Sequence, residues 1–449
     1  MGDSKNAGAR QATVKIYSLG DNFFNKQNEF KEGLEDSFYL KRGEKDMRGK
    51  IALGLSLLLV MLPLAGILPT FANSASESKW TFMVYMDADN NLDSAGIDDI
   101  SEMQTVGSTD EVNVVVLFDR YADVCGFNGT EVLYIHKDYN ETVWGEWTNE
   151  NELNMGDPET LTWFINYTVD NYPADKYALI IWDHGGNWEG VSWDWTDNDY
   201  LTVEEVQSAI ETSIIGRIDI LGFDACLMGS AEVAYTMGMS NKVDVIVASE
   251  DFIPWDGWPY DLILEDLTTN PDWNSYEFSS DIVNQYITSY ANVPVCKVFA
   301  TLSAINLTYM DALVSSMGSL TSELLEGFNT YKGAITGAKN EADRYWFGMW
   351  HQGAYIDLYQ FISTLGTTEG NLKPYTDSML QILNSAVINS ECCNGPHIRG
   401  CGGLTIYFPR NRNLFYTPEP YYDSVSEFAE QTGWYNLLMR YFATHSSSG

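Results

Sequence analysis

The chain reads Tyr177-Ala-Leu-Ile-Ile-Trp-Asp-His184-Gly-Gly186 and, further on, Ile218-Asp-Ile-Leu-Gly-Phe-Asp224-Ala-Cys226-Leu-Met-Gly229, and these two stretches decide its fold. Each begins with a short run of Ile, Leu and aromatic residues, which is typical of a parallel strand covered on both faces. Residues 203–210, between them, have apolar side chains at helical spacing. A strand–helix–strand unit makes a right-handed crossover, so the two strands lie parallel. The sequence therefore predicts an open α/β sheet with His184 and Cys226 at the edge where reactive sites gather.

This placement suggests a nucleophilic site. A cysteine thiolate attacks a carbonyl carbon while a nearby imidazole takes the proton, so Cys226 and His184 are the candidate nucleophile and base. Residues 227–235 read as a helix, whose N-terminus would lower the pKa of Cys226. The backbone N–H groups of Gly185 and Cys226 are candidate oxyanion donors. The alternative is a structural cysteine and a core histidine, which are the commoner roles of such residues.

Five motifs, in this order along about residues 79 to 442, resemble those of the clostripain family of cysteine peptidases. They are Trp80-Thr-Phe-Met-Val-Tyr-Met-Asp-Ala-Asp-Asn-Asn-Leu92, Asp-His184-Gly-Gly, Asp224-Ala-Cys226-Leu-Met, Ala248-Ser-Glu-Asp-Phe-Ile-Pro-Trp-Asp-Gly-Trp-Pro-Tyr260 and Gly403-Leu-Thr-Ile-Tyr-Phe-Pro409. The resemblance implies a caspase-like fold, shared with legumain, gingipain and caspases, in which helices cover both faces of a mostly parallel sheet. It also implies an endopeptidase that needs no cofactor, with His184 as base and Cys226 as nucleophile.

The resemblance further places Asp224 on the floor of the primary specificity pocket, with Asp256 as a second acid. A buried pair of carboxylates selects Arg or Lys, because a guanidinium pairs with it bidentately. Trp255 or Trp258 would stack on the aliphatic stem of that side chain. Three alternatives stay open: Asp224 only holds a turn, Asp251 is the second acid, and the tryptophans only pack.

The start of the chain predicts export. Residues 1–46 are polar and aperiodic, as in a disordered or non-native leader. Residues 47–76 form a signal peptide if Met47 is the true start. If Met1 is the start, residues 51–71 are long enough to anchor the protein in a membrane. Either reading places the catalytic part outside the cytoplasm.

The remaining chain divides into residues 77–260, the predicted caspase-like core, and residues 261–449, a mainly helical half that returns one strand, 404–408, to the core. The whole chain has 25 basic and 63 acidic residues, a net charge of −38. This acidity makes nucleic acid and anionic membrane surfaces poor partners and suits cationic peptides, metal ions or a salty medium. We expect a secreted monomer that acts on peptides or proteins.

The stretch Asp87-Ala-Asp89-Asn-Asn91-Leu-Asp93 has alternating oxygen ligands, as in the first half of an EF-hand loop. It lacks the glycine and the final glutamate of that motif, and it follows a strand. The loop 187–199 adds further acids, and the resemblance implies calcium as a stabiliser, so we keep calcium open without assigning ligands. The resemblance also gives the 87–93 loop a structural role at the active-site rim.

The cysteines other than Cys226 are odd in number, and Cys401 pairing with Cys392 or Cys393 is the expected bridge in an exported protein. Two functional alternatives remain at this stage. One is a related peptidase with a different side-chain preference, and the other is a non-catalytic calcium-binding extracellular protein on the same scaffold.

Overall fold

A computed structural model of the chain describes residues 78–121, 129–138, 143–144, 152–291, 293, 300–345, 353–393, 400–412, 415, 421 and 423–444. These residues belong to one compact unit, Ser74–Gly449. The predicted leader 1–46 and the predicted signal peptide or anchor 47–76 lie outside the described residues. Among the helices that are described, none has both the length and the apolar character needed to cross a bilayer.

A large central sheet organises the unit, with nine described strands in the order β13-β10-β9-β8-β5-β1-β2-β3-β4. The strands in the described part of the chain are β1 Ser78–Ala88, β2 Val112–Arg120, β3 Gly129–Tyr134, β4 Val143–Trp144, β5 Ala174–Trp182, β6 Val191–Asp194, β7 Asp199–Leu201, β8 Ile218–Asp224, β9 Val243–Ala248, β10 Thr301–Asn306, β11 Arg344–Tyr345, β12 Tyr355–Asp357, β13 Val387–Cys392 and β14 Thr405–Tyr407. The five central strands, from β9 to β2, are parallel, and antiparallel strands extend the sheet at both sides.

Helices cover both faces of this sheet. Those described are α1 Asp93–Val106, α2 Pro158–Asn171, α3 Val203–Thr212, α4 Ala231–Met239, α5 Tyr260–Thr269, α6 Ser275–Tyr290, α7 Met310–Glu326, α8 Phe328–Glu341, α9 Leu358–Thr368, α10 Lys373–Ala386, α11 Ser426–Thr432 and α12 Trp434–Thr444. Side chains alternate between the two faces along each strand. In β1, Met83 and Tyr85 pack in the core under α2, α3 and α4, whereas Phe82 and Val84 pack in the core under α1, α5 and α6. Burial on both faces explains the continuous apolar runs of the sequence.

The site is positioned by the point where the strand order reverses. The chain places β2 on one side of β1 and then places β5, β8 and β9 on the other side. Loops that follow strands flanking such a reversal bound a crevice at the carboxyl edge of the sheet. The register pairs Trp182 of β5 with Asp224 of β8. The turns that follow these two strands therefore begin at the same level along the strand direction.

The C-terminal half is mainly helical, and the strands that it adds to the central sheet are not the one expected from the sequence. The predicted returning strand is β14, which pairs with β12 in a separate three-stranded sheet. The strands of this half that join the central sheet are β10 and β13. β10 is antiparallel to β9, and β13 is antiparallel to β10. β14 contacts the core through an isolated parallel bridge between Thr405 and Ser230 and through the N–H of Tyr407, which donates to Glu232 Oε1 at 2.9 Å.

Candidate active site

The turn after β5 lies directly against the turn after β8. The N–H of Asp183 donates to the carbonyl oxygen of Asp224 at 3.3 Å. A Cβ atom added to Gly185 would lie 2.2 Å from the carbonyl oxygen of Cys226 and 2.9 Å from its nitrogen. Only glycine permits this approach of two backbones. The contact places His184 and Cys226, which follow neighbouring parallel strands, at one place on the sheet edge.

His184 is half-buried, and its ring is held by the loop that follows β1. Its Nε2 lies 3.0 Å from the amide oxygen Oδ1 of Asn91. An amide oxygen only accepts, so Nε2 carries the proton and Nδ1 has the lone pair. Burial lowers the pKa of His184 to about 4, so the imidazole is neutral at neutral pH. The sequence marked Asn91 only as an oxygen ligand, and its role in orienting the histidine was missed.

A buried hydrogen-bond network fixes the backbone around His184. The amide nitrogen of Asn90 donates to Asp183 Oδ1 at 2.8 Å and to the carbonyl oxygen of Trp193 at 3.2 Å. The N–H of Trp193 in turn donates to Asp183 Oδ2. Asp183 and Asn90 therefore tie together the ends of β1 and β5 and the β6 strand.

Cys226 is half-buried, and its sulfur faces the loop that follows β9. The N–H of Ile253 donates to Sγ at 3.4 Å, and the thiol contacts the carbonyl oxygen of Ile253 at 3.9 Å. Burial raises the pKa of Cys226 to about 12. The predicted lowering by a helix N-terminus is wrong, because α4 begins only at Ala231 and its first turn is capped by Ser230. The dipole effect falls off within one turn, so it does not reach the sulfur.

The residues that separate Cys226 from α4 form a strained turn. Leu227 has a positive φ of 68°, a conformation that non-glycine residues adopt at a cost of about 1–3 kcal/mol. Its N–H donates to the carbonyl oxygen of Asp251 at 3.0 Å. Asn187 donates from its amide to the carbonyl oxygen of Leu227 at 2.9 Å and accepts from the Ser230 hydroxyl at 3.0 Å. Hydrogen bonds thus connect the turn after the cysteine to the turn after the histidine.

Asp224, two residues before the cysteine, lies buried at the end of β8. Its Oδ2 accepts from the N–H of Trp258 and from the hydroxyl of Tyr260, both at 3.0 Å. Burial raises the pKa of Asp224 to about 7, although these two hydrogen bonds favour the ionised form.

A second buried carboxylate, that of Asp99 from α1, lies beside Asp224. A Cβ atom on Gly257 would lie 3.0 Å from Asp224 Oδ2 and 3.2 Å from Asp99 Oδ2, so both oxygens face the same glycine. The indole N–H of Trp182 donates to Asp99 Oδ2 at 2.7 Å. Each of the two carboxylate side chains is 4% exposed. Two like charges this close raise the pKa of Asp99 further above its usual range, after burial itself.

The sequence profile of the clostripain family matches residues 84–441. The chain belongs to the clostripain family. It is therefore a cysteine peptidase, and the alternative of a non-catalytic binding protein is dropped. Clostripain from Hathewaya histolytica is 27% identical over 436 residues, which cover 82% of this chain and 81% of that protein.

Solved structures agree with the family's fold. A secreted C11 cysteine protease from Bacteroides thetaiotaomicron, in complex with an irreversible peptide inhibitor, is similar with a TM-score of 0.60 and 20% identity, covering 80% of this chain and 99% of that chain. An inactive zymogen C11 protease from Parabacteroides distasonis has a TM-score of 0.60 and 20% identity, covering 78% and 99%. These likenesses show the fold alone, and the predicted caspase-like α/β class is confirmed.

In this clostripain-family peptidase, the loop after β9 does not place all the predicted residues at the pocket. Asp256 is exposed, and the carboxylate beside Asp224 is that of Asp99 instead. Trp258 is fully buried in the core, where its ring packs over Gly222, so it has no surface to offer a substrate. Trp255 is 49% exposed and lies two residues after Ile253, on the loop that contacts the sulfur of Cys226.

The peptidase has four cysteines in its described part, and none of them is in a disulfide bond: Cys226, Cys392, Cys393 and Cys401. The predicted bridge from Cys401 is therefore absent from these residues. The thiols of Cys392 and Cys401 are nevertheless neighbours, because they hydrogen-bond to each other, and this bond lowers the pKa of Cys392. Cys392 and Cys401 are therefore close together, as the expected pairing requires, but no covalent bond joins them.

Proposed function

We propose that the chain is an exported endopeptidase that cleaves peptide bonds after Arg or Lys through a Cys226–His184 dyad and an acyl-enzyme. The observation that carries this proposal is the backbone contact of Gly185 with Cys226, which brings the two turns together beside a buried pair of carboxylates. The family and the acidic surface agree with peptide or protein substrates, since cationic chains suit a net charge of −38.

The resting dyad holds a thiol and a neutral imidazole. The pKa of Cys226 is raised to about 12 and that of His184 is lowered to about 4, both by burial, so an ion pair does not form before substrate arrives. In the attack, Nδ1 of His184 takes the thiol proton while Sγ bonds to the carbonyl carbon of the substrate. Asn91 accepts from Nε2–H throughout, so Nδ1 is the ring nitrogen that carries the lone pair.

The tetrahedral intermediate then collapses. The backbone N–H groups of Gly185 and Cys226 donate to its oxyanion in this proposal. The C–N bond breaks, the leaving amine takes the proton from His184, and a thioester to Cys226 remains. Water then attacks the thioester with His184 as base, which releases the carboxylic acid and restores the thiol.

Selectivity for a basic side chain rests on Asp224 and Asp99. A guanidinium or ammonium that reaches this pair replaces like-charge repulsion with attraction, and a guanidinium forms two parallel hydrogen bonds to one carboxylate. Trp255, which is exposed on the loop that contacts the Cys226 sulfur, would cover the aliphatic stem of the substrate side chain in this proposal. Trp258 is not part of this proposal, because it is buried.

Export rests on the sequence of residues 47–76 and on composition. The basic, apolar and small-residue order there is that of a signal peptide. A similar C11 protease from Bacteroides thetaiotaomicron is described as secreted. The monomeric state stays a prediction.

A panel of fluorogenic peptides that differ only in the residue on the acyl side of the scissile bond tests the selectivity. We expect kcat/KM for Arg and Lys to exceed that for Gln, Leu and Asp by at least about 10²-fold, since the competitors leave a buried charge unpaired. A maximum at a neutral or acidic residue would support the alternative peptidase with a different preference.

Substitution of Asn91 by Ala tests the orientation of His184. Because a misplaced base costs about 10²-fold in rate, we expect kcat to fall by that order with little change in KM. Asn91→Asp, which keeps an acceptor oxygen, should retain more activity. Its carboxylate should also raise the pKa of His184 and move the acid limb of kcat toward higher pH. An unmoved pH profile in Asn91→Asp would contradict direct contact between these residues during turnover.

The pH profiles of peptide cleavage and of Cys226 alkylation distinguish ionisation of the pocket from ionisation of the dyad. In the free enzyme Asp224 is protonated below about 7 and then attracts a cation less, whereas the imidazole stays neutral down to about 4. We expect kcat/KM for an Arg peptide to fall as the pH drops below about 7. The rate of Cys226 alkylation by neutral iodoacetamide should instead rise steadily from pH 6 to 9, because thiolate remains scarce. An inflection near 7 in the alkylation rate would assign that ionisation to the dyad.

A further inference from the structure

The loop between β9 and α5 contacts both the nucleophile and the specificity pocket of the proposed site. Near its start, the N–H of Ile253 donates to Sγ of Cys226 at 3.4 Å, and the thiol donates to the carbonyl oxygen of Ile253 at 3.9 Å. Near its end, the N–H of Trp258 donates to Oδ2 of Asp224 at 3.0 Å. We call residues 252–259 the covering loop.

The covering loop lies against the two pocket carboxylates. Asp224 and Asp99 are each 4% exposed, so neither is open to a ligand from solvent. A Cβ atom on Gly257 would lie 3.0 Å from Oδ2 of Asp224 and 3.2 Å from Oδ2 of Asp99, which leaves no room for a guanidinium between them and the loop. A basic side chain therefore reaches these oxygens only after the backbone at Gly257 has moved.

Hydrogen bonds fix the chain on both sides of the covering loop. Before it, the N–H of Asp251 donates to the hydroxyl of Thr301 at 3.2 Å, and the carbonyl oxygen of Asp251 accepts from the N–H of Leu227 at 3.0 Å. After it, the N–H of Tyr260 donates to Glu102 Oε2 at 3.1 Å, where α5 begins. Movement of the loop is therefore confined to the residues between these anchors.

A turn inside the loop links the residue on the sulfur to the residue on the pocket. The N–H of Gly257 donates to the carbonyl oxygen of Pro254 at 2.9 Å, so residues 254–257 form a hydrogen-bonded turn. Ile253 directly precedes this turn and Trp258 directly follows it. Because the turn is closed by its own hydrogen bond, it moves as a unit, and displacement of one end shifts the other.

A tyrosine of α6 holds the turn in place. The hydroxyl of Tyr290 donates to the carbonyl oxygen of Gly257 at 2.6 Å, and Tyr290 is itself buried. The Gly257 backbone must leave this hydroxyl when it moves away from the carboxylates. A neutral hydrogen bond of this kind favours the closed position by a factor of about five.

We infer that the covering loop is a gate that a basic substrate side chain opens. A cation that pairs with Asp224 and Asp99 takes the place of the loop and displaces its turn. The displaced turn withdraws Ile253 from the Cys226 sulfur, so that the thiol proton passes to His184 and the sulfur is free to attack.

The cation is able to open the gate because it binds the open state alone. A ligand shifts an equilibrium between two states only through a difference in affinity, and the carboxylates are accessible only when the loop has moved. Tyr290 acts as a positioning residue, since it sets how strongly the closed state is favoured. The inference rests on the proposed preference for basic residues and adds that the same cation uncovers the nucleophile.

The test is the rate of Cys226 alkylation by iodoacetamide in the presence of butylguanidine. This cation has the side chain of arginine but no carbonyl group to occupy the nucleophile, and butylurea is its neutral control. We expect butylguanidine, at saturation measured by calorimetry, to raise the alkylation rate at least about tenfold, because a minor open state becomes the major one. Hydrogen exchange at the backbone amides of Ile253 and Trp258 should become faster as well. Butylurea should change neither rate.

Tyr290→Phe removes the hydroxyl that holds the turn. We expect its alkylation rate without butylguanidine to rise about fivefold and the stimulation by butylguanidine to shrink by a similar factor. A purely structural role would not move these two values in opposite directions. Tyr286→Phe, which removes a hydroxyl one turn earlier on α6, is the matched control and should keep both values within about twofold of the wild type.

The gate is overturned if butylguanidine gives no binding heat, or if alkylation at saturation is unchanged or slower. Faster alkylation without faster hydrogen exchange also overturns it, because the charge of the cation alone then explains the rate. These wild-type measurements decide even if Tyr290→Phe does not fold. The gate and the proposed function fail in different assays: without a gate, the peptide panel still shows a preference for Arg and Lys, whereas a panel without that preference removes both.

Discussion

Replacement of Cys226 by Ala is expected to lower kcat/KM for an Arg peptide by at least about 10⁴-fold, because no other group supplies the electrons that form the acyl-enzyme. His184→Ala is expected to cost a similar factor, and the double variant little more, since the two residues act in one proton transfer. Initial rates with a fluorogenic Arg peptide, normalised to folded protein by circular dichroism, measure all three losses.

Cys401→Ala is the matched control, because it removes a half-buried thiol of the C-terminal half that has no role in the proposed reaction. We expect its rate to stay within about threefold of the wild type, as for other substitutions away from the chemistry. Retention of more than about one per cent of wild-type activity in Cys226→Ala would contradict the assignment of the nucleophile.

The second large effect concerns the specificity pocket. Asp224→Asn keeps the shape of the side chain and removes its charge, so kcat/KM for Arg peptides should fall by about 10²–10³-fold, the loss typical of a buried charge pair. Asp99→Asn should also weaken cleavage after Arg, because its oxygen faces the same glycine as that of Asp224. Asp256→Asn, on the exposed part of the loop, should change the rate by less than about threefold.

Alkylation of Cys226 by iodoacetamide provides the control for these pocket variants, because the reagent has no charge for the pocket to recognise. The alkylation rate should change little in Asp224→Asn. If alkylation and Arg cleavage fall together, Asp224 supports the turn that carries the cysteine and does not select the substrate. If only Asp256→Asn reduces cleavage after Arg, the carboxylate pair has been assigned to the wrong side chain.

The sequence predicted the parts of the fold that depend on local pattern. The strands that end in Trp182 and Asp224 and the helix between them were all identified from apolar spacing. Thr202 caps that helix and forms a capping box with Glu205. The contact between the turns that carry His184 and Cys226 agrees with the handedness of one crossover, which leaves few alternatives.

Features set by tertiary packing were missed. Asp99 comes to Asp224 from a helix far away in sequence, so no loop motif indicated it. The helix after Cys226 was predicted too early, because the apolar residues that follow the cysteine resemble a helix start. Leu227 in fact adopts a positive φ that only the surrounding contacts enforce. The strand at Thr405–Tyr407 was found, but its partner depended on the packing of the whole C-terminal half.

The oxygen-rich loop after β1 was noted for its possible oxygen ligands, but the acidic residues that lie near it in the fold were not identified. Asp89 and Asp194 both come from stretches that the sequence marked as acidic. Glu152 lies outside the stretches that the sequence marked as acidic, and only the fold brings it close to Asp89 and Asp194. Asn91, in the same loop, contacts the histidine instead.

Mass spectrometry of the protein after reaction with an arginine-based covalent thiol inhibitor tests the central claim most directly. Because the proposed dyad pairs Cys226 with His184 next to a pocket formed by Asp224 and Asp99, the account predicts one adduct, on the peptide that contains Cys226. Labelling should be lost in Cys226→Ala and strongly slowed in His184→Ala and Asp224→Asn. An adduct on Cys392, Cys393 or Cys401 at a comparable rate would contradict the account. So would labelling of Cys226 at the wild-type rate in both His184→Ala and Asp224→Asn.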